Sequence, residues 1–351
     1  MYQLNDKIGK VKPYKAVESR FKIHLDANES FLPLPKDIKA EMTKAWSAAE
    51  LNRYPDSDAK EVCKAFADFY NLSPENVVAG NGSDELIAVI MTAFLEKGDA
   101  FATIIPDFSM YSFYGQLCEC RNVQISKDEN YQIDVDTVIN TCNNEDVKLL
   151  IFSNPCNPTS VGLSAEKVRR IIKKVNALVI LDEAYMDFWN ESLLDEVESY
   201  DNLIILRTCS KAFGMAGIRL GFAVSQKRLR YVLMAVKSPY NVNVLSQKTG
   251  TVLLRRKEEI QAAVSKLIDS KNALETAMRK LAEKSGTFRL VDGRTNFITM
   301  TMKNPEKFYN FLAENGIAVR FTEGMIRVTC GAKEENESFI EASERFFTKE
   351  V

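Results

Sequence analysis

Ser210-Lys211-Ala212-Phe213 is followed by Gly214-Met215-Ala216-Gly217-Ile218-Arg219-Leu220-Gly221. Upstream, Asp182-Glu183-Ala184-Tyr185 closes the apolar run Ala177-Leu178-Val179-Ile180-Leu181. A lysine can form an imine with a carbonyl, and an aspartate can keep a ring nitrogen protonated. Pyridoxal phosphate chemistry requires both of a protein. Tyr185 and Asn157 carry groups suited to the ring oxygen. Thr208, Ser210 and Arg219 suit the phosphate, as does the helix start at Gly80-Asn81-Gly82-Ser83-Asp84, where free N–H groups favour an anion. The planar fork of an arginine donates two bonds at once to such a dianion. Each piece has a plainer reading alone: a glycine turn with a helix cap, a solvated lysine, an aspartate at a strand end. Their complementarity carries the inference.

The chain holds a single histidine, His24, alternating with Ile23 and Leu25. It reads as part of a short strand. Ser-His-Asp hydrolysis, multi-histidine metal sites and histidine acid–base pairs are thereby hard to build, so proton transfer falls to lysine, tyrosine or carboxylates. Seven cysteines stand at scattered positions without a Cys-x-x-Cys, which argues against disulfides and structural zinc and for a reducing cytoplasm. No metal is expected. Forty-six Lys and Arg against 48 Asp and Glu, a net charge of -2, give no nucleic-acid or membrane surface. The N-terminus has no signal-peptide pattern and no apolar run reaches membrane-spanning length.

These residues need a frame. The 351-residue chain is long enough for a large domain and a smaller one. Continuous apolar runs at 100–105, 149–153, 177–182, 203–208 and 219–224 read as strands buried on both faces of a mostly parallel sheet. Helical patterns cover 36–48 and 57–70, Ser83 is placed as the N-cap of a helix to Leu95, and a crossover helix opens after Ser164. The fold class is therefore α/β, a doubly wound large domain plus a smaller α+β domain. The expected division is an arm over 1–35 packing near the small domain, a large cofactor domain over 36–240, and a small domain over 241–351. The last opens on one long helical stretch, about 245–285, followed by strands at 296–301 and 325–330 and helices at 305–315 and 333–348. Candidate polar groups sit just past strand ends, where open α/β sheets bind ligands.

Asn157-Pro158-Thr159, Asp182-Glu183-Ala184-Tyr185 and the stretch from Ser210 to Gly221 resemble fold-type I aminotransferases. More narrowly, the chain is similar to the histidinol-phosphate aminotransferases. Val11-Lys12-Pro13-Tyr14, Leu25-Asp26-Ala27-Asn28-Glu29, Arg53-Tyr54-Pro55-Asp56 and Ile326-Arg327-Val328-Thr329 support this, in order and over nearly the whole chain. The resemblance implies that Lys211 carries the cofactor, Asp182 pairs with the pyridine nitrogen, and Tyr185 and Asn157 address the ring oxygen. It implies phosphate binding by Ser83, Asp84, Thr208, Ser210 and Arg219. Tyr54 would reach the cofactor phosphate of a neighbouring subunit, making a homodimer with composite sites. Arg327 would anchor the substrate anion, helped by Arg320 and Tyr14, with Asn157 also on the substrate side.

Three departures stand out. Phe108 occupies the usual place of a ring-stacking tyrosine and keeps the stacking face. Ser160 replaces the usual glycine after Asn-Pro-Thr. Ser30-Phe31-Leu32-Pro33-Leu34-Pro35 replaces the usual Asn-Pro-Tyr-Gly on the substrate side. The expected reaction is transfer of an amino group from L-histidinol phosphate to 2-oxoglutarate in histidine biosynthesis. The alternatives are an aromatic amino-acid aminotransferase, a threonine-phosphate decarboxylase, or a non-catalytic regulator on the same fold. A nicotinamide oxidoreductase is disfavoured, because Glu85 stands where Gly-x-Gly-x-x-Gly needs its third glycine.

Overall fold

A computed structural model of the chain describes residues 2, 3, 5–9 and 21–348. Its central element is a seven-stranded sheet, with Val77–Gly80, Gly221–Ser225, Leu203–Thr208, Leu178–Asp182, Val147–Ser153, Ala100–Ile105 and Arg121–Ser126 in that spatial order. All neighbours are parallel except Gly221–Ser225, which runs antiparallel to both strands beside it. Apart from the exposed Lys148, these inner strands are buried residue by residue, as their apolar runs require. Arg121–Ser126 was not expected. It is an edge strand with a mostly polar, half-exposed sequence, so no apolar run marks it.

Helices cover both faces. One side packs Leu86, Ile87, Ile90 and Met91 of the helix Ser83–Phe94 on Val78, Ile151, Ile180 and Ile204. The other carries Val62, Phe66, Val168 and Ile171 against Phe152, Leu181, Ile205 and Phe222. Gly82, with φ of 84°, takes the N-cap place of the helix Ser83–Phe94, and Ser83 is its first residue. The expected serine cap is therefore one position off. Its physical reason is the glycine-only backbone turn that brings the chain into the helix.

A second, antiparallel sheet orders Arg320–Thr322, Met325–Thr329, Phe297–Met302 and Phe288–Leu290. It builds a separate core with Leu25, Phe308, Phe339 and Phe347. Ile23–His24 pairs in parallel with Ile317–Ala318, so the chain just before Asp26 is tied to this second core. The single stretch expected over 245–285 is two helices, Val244–Leu254 and Lys257–Ser285, broken at Arg255-Arg256. Arg256 leaves helical geometry, at φ of -104° and ψ of 54°, while its side chain pairs with Glu41 and Glu259. The longer helix touches both cores: Ile260 and Leu267 belong to the first, Leu274, Met278 and Leu281 to the second. No helix among the described residues is long and apolar enough to cross a membrane.

Candidate active site

Asp182 ends its strand, and its carboxylate is buried at 5% exposure. Tyr111 donates to Oδ2 at 2.7 Å and the Ala184 N–H to Oδ1 at 3.1 Å. Burial pushes its pKa up to about 6, opposed by those two hydrogen bonds. A carboxylate desolvated in this way would favour a cation beside it. Tyr111 was not among the expected residues. It lies three positions beyond Phe108 on the helix Met110–Leu117, and the two rings meet edge to face at 5.6 Å. The signal was present only as a tyrosine near a stacking residue.

Lys211 follows the strand Leu203–Thr208 and stands deep in a half-buried position. Its Nζ donates to the Ala27 carbonyl at 2.8 Å and lies 6.0 Å from the centre of the Tyr185 ring. Desolvation lowers its pKa to about 8, and the positive charge of Arg327 adds to that. Glu29 and Asp182 act the other way and Arg219 with Arg327, so these charges converge on one amine. An amine with a pKa near neutrality is a competent nucleophile and proton carrier.

Arg219 sits in the left-handed region at φ of 51°. Its guanidinium reaches Ser210 Oγ at 3.4 Å, and Thr208 Oγ1 donates to Ser210 Oγ at 3.0 Å. Two glycines make the approach of the Ser83 helix possible. A Cβ on Gly221 would fall 2.3 Å from the Ser83 nitrogen, and one on Gly82 would fall 2.7 Å from Arg219 Nη2. The helix start, Arg219, Ser210 and Thr208 are thereby crowded into one cup of donors. Asp84 lies in the first turn. Burial raises its pKa, and its Oδ1 is buried without a hydrogen-bond partner.

Asn157 joins the two sheets. It lies between cis peptides at Asn154-Pro155 and Asn157-Pro158, and its Oδ1 accepts from Arg327 Nη1 at 2.5 Å. Arg327 is 8% exposed in the strand Met325–Thr329 and also donates through Nη2 to the Asp26 carbonyl at 2.5 Å. Arg320 is its cross-strand partner in the neighbouring strand. Paired residues of antiparallel strands present their side chains on one face, so two cations share this wall.

Tyr54 is 81% exposed and stacks on Tyr240, ring centres 4.5 Å apart. It joins none of the groups above within its own chain. Tyr14 lies outside the described residues. Sequence reasoning missed the work of residues 26–28. The Asp26 carbonyl meets Arg327, the Ala27 carbonyl meets Lys211, and Asn28 Nδ2 donates to Tyr185 Oη at 2.7 Å. Two of these contacts are made by backbone, which leaves no side-chain signature.

A buried carboxylate, an amine with lowered pKa and a cup of phosphate donors fit pyridoxal phosphate on chemical grounds. The aminotransferase class I and II family matches residues 20–342. The chain belongs to that family. This aminotransferase depends on pyridoxal phosphate. It is 38% identical over 330 residues to the histidinol-phosphate aminotransferase of Clostridium novyi (strain NT), covering 93% of this chain and 92% of that one. It is 37% identical over 338 residues to the one of Clostridium kluyveri (strain NBRC 12016), covering 95% of each. Among solved structures, the histidinol-phosphate aminotransferase from Sinorhizobium meliloti in complex with pyridoxal-5'-phosphate superposes with a TM-score of 0.89 at 19% identity, covering 100% of this chain and 99% of that one. The last likeness establishes the aminotransferase fold.

Proposed function

We propose that this aminotransferase takes L-histidinol phosphate as amino donor and 2-oxoglutarate as acceptor, giving imidazole acetol phosphate and L-glutamate in cytoplasmic histidine biosynthesis. The observation that carries this reading is the cross-strand pair Arg320 and Arg327, of which Arg327 acts electrostatically on Lys211. The names of the curated relatives support it. Two arginines on one face suit a phosphate dianion in one half-reaction and a carboxylate in the other.

When bound, pyridoxal phosphate supplies an electron sink for the pair left when the substrate carbon loses its proton. Asp182 holds the proton on the ring nitrogen, kept in place by Tyr111 and the Ala184 N–H. Tyr185 and Asn157 would address the ring oxygen, and Phe108 would offer its ring for stacking. The N–H groups of Ser83 and Asp84, with Thr208, Ser210 and Arg219, hold the phosphate. Lys211 Nζ would take the proton from the substrate carbon and later give it back, acting first as base and then as acid. His24 plays no part. Its Nδ1 faces Asp26 Oδ1 at 3.4 Å on the short strand beside the second sheet.

The exposure of Tyr54 fits a role outside its own chain. We place it at the cofactor phosphate of a partner subunit, in a homodimer with composite sites. By the family resemblance, Tyr14 would assist at the substrate phosphate.

The test is a comparison of amino donors on the holoenzyme, following the loss of cofactor absorbance as each donor delivers its amino group. Histidinol phosphate should react with the highest kcat/KM. A preference for phenylalanine, or release of CO₂ from threonine phosphate, would overturn the substrate assignment and leave the family unchanged.

A further inference from the structure

Asn28 sits at φ of 55°, in the left-handed region that asparagine tolerates better than most residues. It is 1% exposed, and its neighbours Tyr185, Thr329 and Asn296 are at 4%, 3% and 0%. Its backbone is fixed at both ends: its N–H donates to Thr329 Oγ1 at 2.9 Å, and its carbonyl accepts from Asn296 Nδ2 at 3.1 Å. Thr329 Oγ1 donates its own proton to Asn28 Oδ1 at 3.1 Å. That bond decides which way the amide points. With Oδ1 committed to Thr329, the donor end, Nδ2, faces Tyr185 Oη at 2.7 Å.

An amide nitrogen donates and does not accept. The Tyr185 oxygen must therefore accept from Asn28, and its single proton must be donated elsewhere. No described protein group accepts that proton. Burial raises the pKa of the Tyr185 hydroxyl, an effect that Arg327 opposes, so the group remains a neutral donor. The charged and titratable groups around it are Arg327, Asp182, Cys156 and Lys211.

We propose that Asn28 is a positioning residue that fixes the direction of the Tyr185 O–H, committing its proton to the ring oxygen of the cofactor. The inference rests on the reading that Tyr185 faces that oxygen. Thr329, Asn28 and Tyr185 then form a one-way relay of donors ending at the cofactor. A proton donated to the ring oxygen would draw charge from it and weaken its hold on a proton at Lys211 Nζ. That nitrogen should therefore titrate at a lower pH than it would without the relay. Received bonds also strengthen donated ones, so the amide sharpens the donor it orients.

The relay is tested by titrating the visible absorbance of the holoenzyme with pH. Tyr185→Phe removes the final donor, and the midpoint should rise by about one pH unit, the size of one hydrogen bond to a charged group. Asn28→Asp keeps the shape and presents an acceptor-only carboxylate, which takes the Tyr185 proton for itself. Its midpoint should rise as far as that of Tyr185→Phe, and the double variant should rise no further than either single one. Asn28→Gly accepts the left-handed backbone and should rise by less. It keeps the experiment decisive if the aspartate variant fails to fold. A rise in Tyr185→Phe with no change in either Asn28 variant overturns the relay and leaves the role of Tyr185 standing. No change in Tyr185→Phe overturns that role and the relay with it.

Discussion

Arg320 and Arg327 face each other across two antiparallel strands, in register, with Arg327 also holding Asn157 and the Asp26 carbonyl. Like charges placed directly opposite destabilise a sheet. An anion bound between them would offset that repulsion. Arg327→Met should raise KM for the phosphorylated donor and for 2-oxoglutarate, each by about 10–100-fold, the worth of a charge-assisted bidentate contact. Arg320→Met should affect the phosphorylated donor more than the acceptor. Steady-state kinetics with each substrate varied in turn checks both.

Lys211 is the proton carrier in the proposed reaction. Lys211→Ala should abolish turnover while cofactor is still held noncovalently. In the wild-type protein, burial and Arg327 bring the pKa of this amine down to about 8. Only the neutral amine attacks a carbonyl, so the rate of cofactor loading should rise with pH and level off above about 8. Arg327→Met should move that plateau to higher pH. Stopped-flow absorbance after mixing the cofactor-free protein with pyridoxal phosphate measures both.

Asp182 makes a stability prediction for the cofactor-free protein. Its pKa rises from 3.8 to about 6 on folding, so the folded state binds more protons than the unfolded state between those values. Stability from this group is greatest below that range and is lost as pH rises through it, by about 3 kcal/mol at most. Asp182→Asn should flatten this dependence. Urea unfolding at pH 5 and pH 7 for both proteins checks the sign. Bound cofactor, by supplying a cation, should flatten it as well.

Ser160 occupies the left-handed region at φ of 67°, which explains why a glycine is usual there. Its hydroxyl lies 2.6 Å from Thr295 Oγ1, and its carbonyl accepts from the Arg294 N–H at 2.7 Å. Ser160→Gly loses a hydrogen bond and gains backbone ease, so its net change should stay within about 1 kcal/mol. Ser160→Ala loses the bond and keeps the strain, and should be less stable by about 1–2 kcal/mol. Thermal unfolding should therefore rank alanine below glycine.

Tyr54 tests the composite site. If it serves a partner's cofactor, Tyr54→Ala and Lys211→Ala each fail as homodimers. Mixed dimers of the two then contain one site with both wild-type residues. Purified mixed dimers should recover up to half the wild-type activity, and an unfractionated co-expression mixture about a quarter. No recovery in purified mixed dimers would count against the exchange.

The sequence was most legible where chemistry and burial coincide. Asp182 and Thr208 end apolar runs that could only be inner strands, and the strands end where expected. Arg121–Ser126 stayed hidden because an edge strand has no need of continuous apolar residues. The helix break at Arg255-Arg256 also stayed hidden, since neither residue disfavours helix and the cause is tertiary pairing with Glu41. Within the site, side chains with a distinctive role were visible and supporting contacts were not. Tyr111 is an ordinary aromatic until its hydroxyl is found on Asp182, and Ala27 contributes only a carbonyl.

The contact between Asn28 and Thr329 joins residues 301 positions apart. Closing so long a loop is slow and entropically costly. During synthesis, Lys211 and Asp182 leave the ribosome well before the strand that carries Arg327 and Thr329. The nascent large sheet therefore exists for a time without the clamp of residues 26–28. In the proposed reading, cofactor contacts that depend on this clamp would wait until the strand Met325–Thr329 has been made and folded.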